Sequence, residues 1–130
     1  MGETTPGENE WIVMEILWDS TGPLTATDII EKLKGIKDVS PKTIRVLINR
    51  LLKKGILDYT IDPHDARIYH YSAVKSREDC LREKSERFVN SYFRGNALGM
   101  VATLVQNEDL TEEQLDELIH ILEAGKNTIK

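Results

Sequence analysis

Between Val39 and Leu57 the chain carries five basic residues, Lys42, Arg45, Arg50, Lys53 and Lys54, and no acidic one. An arginine fork can pair bidentately with guanine, an asparagine such as Asn49 with adenine, and the methyl groups of Thr43 or Val46 can touch thymine. Other cations grip phosphates, which position a protein on a duplex without reading it. The spacing supports this chemistry. Ile44, Leu47, Ile48, Leu51 and Leu52 recur as one face of a helix, which leaves Lys42, Thr43, Arg45, Val46, Asn49, Arg50 and Lys53 off the apolar stripe. Ser40-Pro41 opens that helix. The serine side chain caps a free N–H, and proline at the first helical position loses no hydrogen bond. Lys54-Gly55 closes it with a cation in the last turn and glycine just beyond. Ser40, Lys42, Thr43, Arg45 and Val46 therefore stand at the end from which a recognition helix reads base edges. Lys53, Lys54 and Arg50 are better placed for phosphates. A basic face of this kind can also be merely solvated, so the neighbouring elements decide.

Those neighbours have the order of a winged helix-turn-helix. Trp11, Met14, Leu17 and Trp18 recur at helical spacing, so a helix is expected over about Glu10 to Ser20, ended by Thr21-Gly22-Pro23. Leu24 fits a very short strand. Thr25 or Thr27 can cap a second helix bearing Ile29, Ile30 and Leu33 and closed by Gly35. After the basic helix, Leu57–Ile61 and Ile68–Ser72 read as two strands of a hairpin around the turn-rich Asp62–Arg67. At the tip of this wing, Arg67 is a candidate phosphate or minor-groove contact. Tyr69, Tyr71, Trp11 and Trp18 are expected to pack. Residues 1–8 read as a flexible tail, 9–73 as the DNA-binding domain and 74–130 as a helical domain. The fold class expected is mainly α with a small β-wing.

From Ser76 to about Arg94 a charged helix carries Leu81, Phe88, Val89, Tyr92 and Phe93, interrupted by Gly95. A second helix holds Leu98, Met100, Val101, Leu104 and Val105. Thr111-Glu112-Glu113-Gln114 matches a capping box and opens a third helix with Leu115, Leu118, Ile119 and Leu122 on its apolar face. Three helices of this size are too small to be secure alone. A second copy covering Leu81, Phe88, Tyr92, Leu98, Val101, Leu104, Val105, Leu115, Leu118, Ile119 and Leu122 would give a two-fold dimer, suited to an operator with two-fold half-sites.

Composition narrows the classes. The formal net charge is −5, but it is unevenly distributed: seven acidic and no basic residues from Met1 to Glu31, and again seven and none from Glu108 to Glu123. An acidic frame around one basic segment lowers non-specific affinity and favours discrimination. No apolar run approaches the roughly 20 residues of a membrane span, and the N-terminus lacks a signal pattern, so a cytoplasmic protein is expected. One cysteine, Cys80, allows no internal disulfide, and His64, His70 and His120 lack ligand spacing. No cofactor or metal is expected. No nucleophile elbow, P-loop or dinucleotide glycine pattern supports an enzyme.

The stretch Ser40-Pro41-Lys42-Thr43-Ile44-Arg45-Val46-Leu47-Ile48-Asn49-Arg50-Leu51 with Lys53-Lys54-Gly55, together with Trp11, Val13-Met14, Trp18 and Glu108-Asp109-Leu110-Thr111, resembles the BlaI/MecI type of penicillinase and methicillin-resistance repressors. The resemblance runs from Glu10 to about Leu122. It implies a homodimeric winged-helix repressor on operators with TACA/TGTA-type half-sites, controlling β-lactamase or related resistance genes. By matching position Lys42, Thr43 and Arg45 would contact bases, with Val46 and Arg50 close by. In the antibiotic-responsive branch a membrane sensor triggers cleavage of the repressor at an Asn-Phe pair; the aligned position here is Thr103-Leu104, so a sensor or protease that inactivates this chain does not follow by the same route. The related copper-responsive repressors carry Cys-x-Cys motifs, which this chain lacks. The alternatives are a winged-helix protein-interaction module and a ligand-gated regulator of a different operator. Steep salt dependence of DNA binding separates the repressor from the interaction module.

Overall fold

The computed structural model describes residues 4–128. Six helices and one hairpin follow in the order α1 (Glu8–Trp18), α2 (Ala26–Leu33), α3 (Pro41–Lys53), β1 (Leu57–Ile61), β2 (Tyr69–Ala73), α4 (Arg77–Tyr92), α5 (Ala97–Asn107) and α6 (Glu112–Thr128). They divide into two compact units, one ending at Ser85 and the other starting at Glu86. The boundary thus falls inside α4, twelve residues beyond the expected 73/74 division. The reason lies in the first turns of α4 and the residues just before it: Cys80 is fully buried, the Trp18 indole donates to the Lys75 carbonyl (2.9 Å), and Arg77 pairs with Glu15 (2.7 Å). No described helix is long and apolar enough to cross a membrane.

In the first unit, Val13, Met14 and Leu17 of α1, Ile29 and Leu33 of α2, and Ile44, Leu47, Ile48 and Leu51 of α3 close on Leu24, Ile56, Leu57 and Tyr71 to form one core. Each such side chain contributes about 1.5–3 kcal/mol when fully withdrawn from water. Trp11 and Trp18 are half-buried and meet edge to face, with ring centroids 5.1 Å apart. Local signals set the helix ends. Thr25, not Thr27, caps α2: its hydroxyl accepts from the Asp28 amide (3.1 Å) while the Asp28 carboxylate accepts from the Thr25 amide (3.0 Å). These bonds, with the Thr25 N–H foremost, hold the Asp28 carboxyl below its ordinary pKa.

The sheet is an antiparallel pair in which Leu57 faces Ala73, Tyr59 faces Tyr71 and Ile61 faces Tyr69. Leu24 adds the expected short third strand by exchanging two backbone hydrogen bonds with Tyr71 (2.9 and 2.7 Å). Tyr59 and Tyr69 stack at 4.5 Å. Burial raises the pKa of the Tyr71 phenol, against the pull of the nearby Arg45 charge.

The expected flexible tail is corrected over its described part. Thr5 and Pro6 are buried, and the Thr4 hydroxyl donates to Glu83 (3.0 Å). The Lys75 ammonium donates to the Thr4 carbonyl (3.0 Å) and pairs with Glu83. A short polar sequence is ordered here because α1, α3 and the start of α4 supply partners that no local pattern reveals. Residues 1–3 of that tail lie outside the described residues.

The second unit contrasts with the first. None of its described residues is buried. Asn96 caps α5 through the Gly99 amide (3.0 Å). Thr111 and Gln114 form the expected reciprocal box at the start of α6 (2.9 and 3.1 Å). Val101, Leu104, Val105, Leu118 and Ile121 line an open, mainly apolar groove of about 490 Å³ between α5 and α6.

Candidate nucleic-acid interface

The α3 backbone is fixed at both ends. At the start, the Ser40 hydroxyl accepts from the Thr43 amide (3.1 Å) and lies 2.9 Å from the Thr43 hydroxyl, with Pro41 in the first helical position. At the finish, Gly55 takes φ +75°. The Gly55 amide bonds the Leu52 carbonyl and the Ile56 amide bonds the Leu51 carbonyl, both at 3.1 Å, the paired closure that a left-handed glycine permits. Ile56 is buried, so the exit from α3 is tied into the core.

The helix buries Ile44, Leu47, Ile48 and Leu51 and turns its other face outward. Ser40, Lys42, Thr43, Arg45, Val46, Asn49, Arg50 and Lys53 are all exposed, and Val46 keeps 42% of its surface open. Among the described residues no carboxylate pairs with Lys42, Arg45, Arg50 or Lys53. A face with no direct ion pair suits a surface that displaces counterions from phosphates.

Two residues of the expected set are placed otherwise. Lys54 turns away from the exposed face: its ammonium pairs with the buried Glu10 carboxylate (2.5 Å) and donates to the Thr5 carbonyl (3.3 Å). In this structure it serves as a structural cation. It sits at the last turn, where the side chain reaches the N-terminal segment and α1. Burial alone would raise the Glu10 pKa, but the bond from Lys54, the Gly7 N–H and the charges of Lys54 and Arg50 bring it below the ordinary value. Arg67 is on the wing surface as expected, yet its guanidinium is held bidentately by Asp65 (Nε and Nη2 both at 3.0 Å). The pairing, foremost that side-chain bond, lowers the Asp65 pKa and raises that of Arg67.

Sequence reading missed the partners that remove these two cations, Glu10 and Asp65. Glu10 gave no signal, since an acid in a first turn usually faces water. Asp65, two residues from Arg67 in a turn, was visible in principle. Also missed was a polar cleft of about 340 Å³ whose lining includes Thr25 and Thr27 at the start of α2, Arg45 of α3, and Arg67 and Tyr69 of the wing. It places the start of α2 beside α3, and helix N-termini of this kind can meet phosphates. Cys80 is buried, and burial raises the pKa of its thiol, so it is an inert packing group. Among the described residues no group of three or more His, Cys, Asp or Glu could hold a metal ion.

Residues 6–124 match the family model described as the penicillinase repressor. The methicillin resistance regulatory protein MecI of Staphylococcus aureus (strain N315) is 38% identical over 113 residues, 87% of this chain and 89% of that protein. The penicillinase repressor of Bacillus licheniformis is 31% identical over 118 residues, 91% of this chain and 89% of its own length. The solution structure of the DNA-binding domain of the repressor BlaI aligns with a TM-score of 0.50 at 25% identity, covering 61% of this chain and 93% of that domain. With an exposed basic helix face followed by a two-stranded wing, the chain belongs to the penicillinase repressor family and is a DNA-binding transcriptional repressor, not an enzyme.

Proposed function

We propose that this repressor acts in the cytoplasm as a homodimer that occludes a promoter on a palindromic operator with TACA/TGTA-type half-sites, shutting off β-lactamase or related resistance genes. The observation that carries the reading is the α3 face: Lys42, Arg45, Arg50 and Lys53 stand exposed and unpaired. Lys42, Thr43 and Arg45 read base edges from the capped end of the helix, with Val46 and Asn49 beside them, while Arg50 and Lys53 grip phosphates. Dimerisation falls to the second unit together with the exposed Leu81 of α4. Phe88, Tyr92, Leu98, Val101, Leu104, Leu115, Ile119 and Leu122 are exposed, Val105 and Leu118 are half-buried, and Ile121 joins them. A second copy would cover these faces. An inactivating sensor or protease would act on this unit; Thr103 and Leu104 lie within α5, so cleavage between them would first require that helix to unwind.

The test is a gel-shift titration at two salt concentrations with a palindromic TACA/TGTA duplex and a scrambled control, using wild type and Arg45→Ala. Wild type should bind the palindrome tightly and lose affinity as salt rises. Arg45→Ala should weaken that binding by about 1–3 kcal/mol and relax base preference at its position. Equal binding of both proteins to both duplexes would refute the role given to Arg45, and binding of neither duplex would refute the operator.

A further inference from the structure

The wing pairs its single arginine from within. Between Leu57 and Ala73 it carries three acids, Asp58, Asp62 and Asp65, against one arginine. Its tip is braced. The Asp62 carboxylate accepts the His64 and Asp65 amides (2.9 and 3.0 Å) and lies 2.9 Å from the His70 ring nitrogen. The Ile68 amide bonds the Asp65 carbonyl (3.0 Å), and the Asp62 amide bonds the Ile68 carbonyl (2.8 Å). On this frame the Asp65 carboxylate accepts three bonds from Arg67: its backbone amide, Nε and Nη2, each at 3.0 Å. The geometry is the planar fork-to-fork match by which arginine also binds phosphate. Arg67 nevertheless lines the same polar cleft as Arg45, and its side chain is 90% exposed. A free arginine at that place would be a phosphate contact.

We infer that Asp65 is a specificity-determining residue: it occupies the Arg67 guanidinium in place of a DNA phosphate and so withholds the wing from sequence-independent binding. The inference rests on DNA binding through the α3 face. Phosphate contacts supply affinity for any sequence, and base contacts supply the choice among sequences. Removing one cation per protomer from the phosphate set lowers binding to random DNA, while Lys42, Thr43 and Arg45 keep their base edges. The carboxylate adds like-charge repulsion against a backbone that approaches the tip.

The experiment is a salt titration of the full chain on a scrambled duplex, between about 50 and 200 mM, read by fluorescence anisotropy. Asp65→Asn keeps an oxygen for the Arg67 amide and loses the charge; Asp65→Ser, which can also accept that amide, serves should the asparagine disturb the tip. Either variant should tighten scrambled-duplex binding several-fold at the lower salt and steepen the slope of log affinity against log salt by roughly 0.9 per bound protomer. Arg67→Ala alone should shift the slope by far less, and adding it to Asp65→Asn should restore the wild-type slope. An unchanged slope in both Asp65 variants would overturn the inference. So would a flatter slope in Arg67→Ala alone, since the pair would then open on DNA, or a double variant that stays steep. A wild type that binds neither the scrambled nor the palindromic duplex would overturn this inference and the operator reading together; a wild type that binds while the Asp65 variants do not differ from it would overturn this one alone.

Discussion

The unit ending at Ser85 and the unit starting at Glu86 use similar proportions of apolar side chains to opposite ends. The first folds Val13, Met14, Ile29, Ile44, Ile48 and Leu51 against one another until almost no surface remains. The second leaves Leu98 77% and Ile121 59% exposed and buries nothing among its described residues. A helical surface of this kind is stable when another surface covers it. The difference teaches that the first unit closes its core within one chain, whereas the second keeps its apolar faces open; on the proposed dimer, the stability of the C-terminal helices should depend on protein concentration.

The comparison can be broken first by cutting the chain after Ser85. The fragment should keep its cooperative unfolding and remain monomeric, and it should bind a palindromic duplex about 10²–10⁴-fold more weakly, the loss expected when two linked sites become one. Sedimentation and a gel shift report both; a fragment that stays a tight dimer would move the interface into the first unit. A cut at Val74 should do worse, because it removes the Lys75 carbonyl that receives the Trp18 indole and the buried Cys80.

Next in size is a matched pair of truncations. Leu51→Ala, at a side chain with no exposure, should destabilise the first unit by about 2–5 kcal/mol at any protein concentration. Leu122→Ala should leave the first unit unmoved and lower the second unit's unfolding midpoint in a manner that protein concentration partly reverses. Denaturant unfolding at two concentrations reads both. A concentration-independent loss in Leu122→Ala would mean that the second unit closes on itself.

A smaller effect concerns how the first unit anchors its N-terminal segment. Glu10→Gln should cost about 1.5–3 kcal/mol at neutral pH by weakening a charged hydrogen bond to Lys54. The folded Glu10 pKa lies below its unfolded value. The contribution is therefore fully present above the unfolded glutamate range, near pH ~4.3, and is lost as pH falls through the lower folded value. Wild type and variant should converge in acid, and a constant gap across that window would remove Glu10 as its source. Smallest is Ser40→Ala, which should cost about 1 kcal/mol of thermal stability through the lost cap, with no change in the second unit.

The sequence was most legible where chemistry is local. Ser40-Pro41, Gly55 and the Thr111–Gln114 box each announce a helix end through residues within four positions of one another, and each is found in place. The periodic stripe of α3 set which side chains face out, so eight of the ten expected DNA contacts stand exposed and, among the described residues, outside any ion pair. Lys54 and Arg67 escaped because their partners decide their fate. Glu10 lies 44 residues from Lys54, a separation no periodicity bridges. The buried Thr5 and Pro6 escaped for a similar reason: the Thr5 carbonyl accepts from Lys54, 49 residues away, and its neighbour Thr4 bonds Lys75 and Glu83. The division between compact units falls later than the expected 73/74 because a charged, exposed helix looks the same in sequence whether its first turns rest on a core or not.

The closure at Lys54-Gly55-Ile56 has a kinetic corollary. It joins the end of the reading helix to the root of the wing through Ile56, whose carbonyl also accepts from the Val74 amide at 2.8 Å. These bonds tie helix and hairpin at a shared root, so the two are expected to meet a duplex as one piece. The surface arrives preorganised, and little conformational entropy remains to be lost on contact. Strong and weak operators should consequently be found at similar speed and be told apart by residence time.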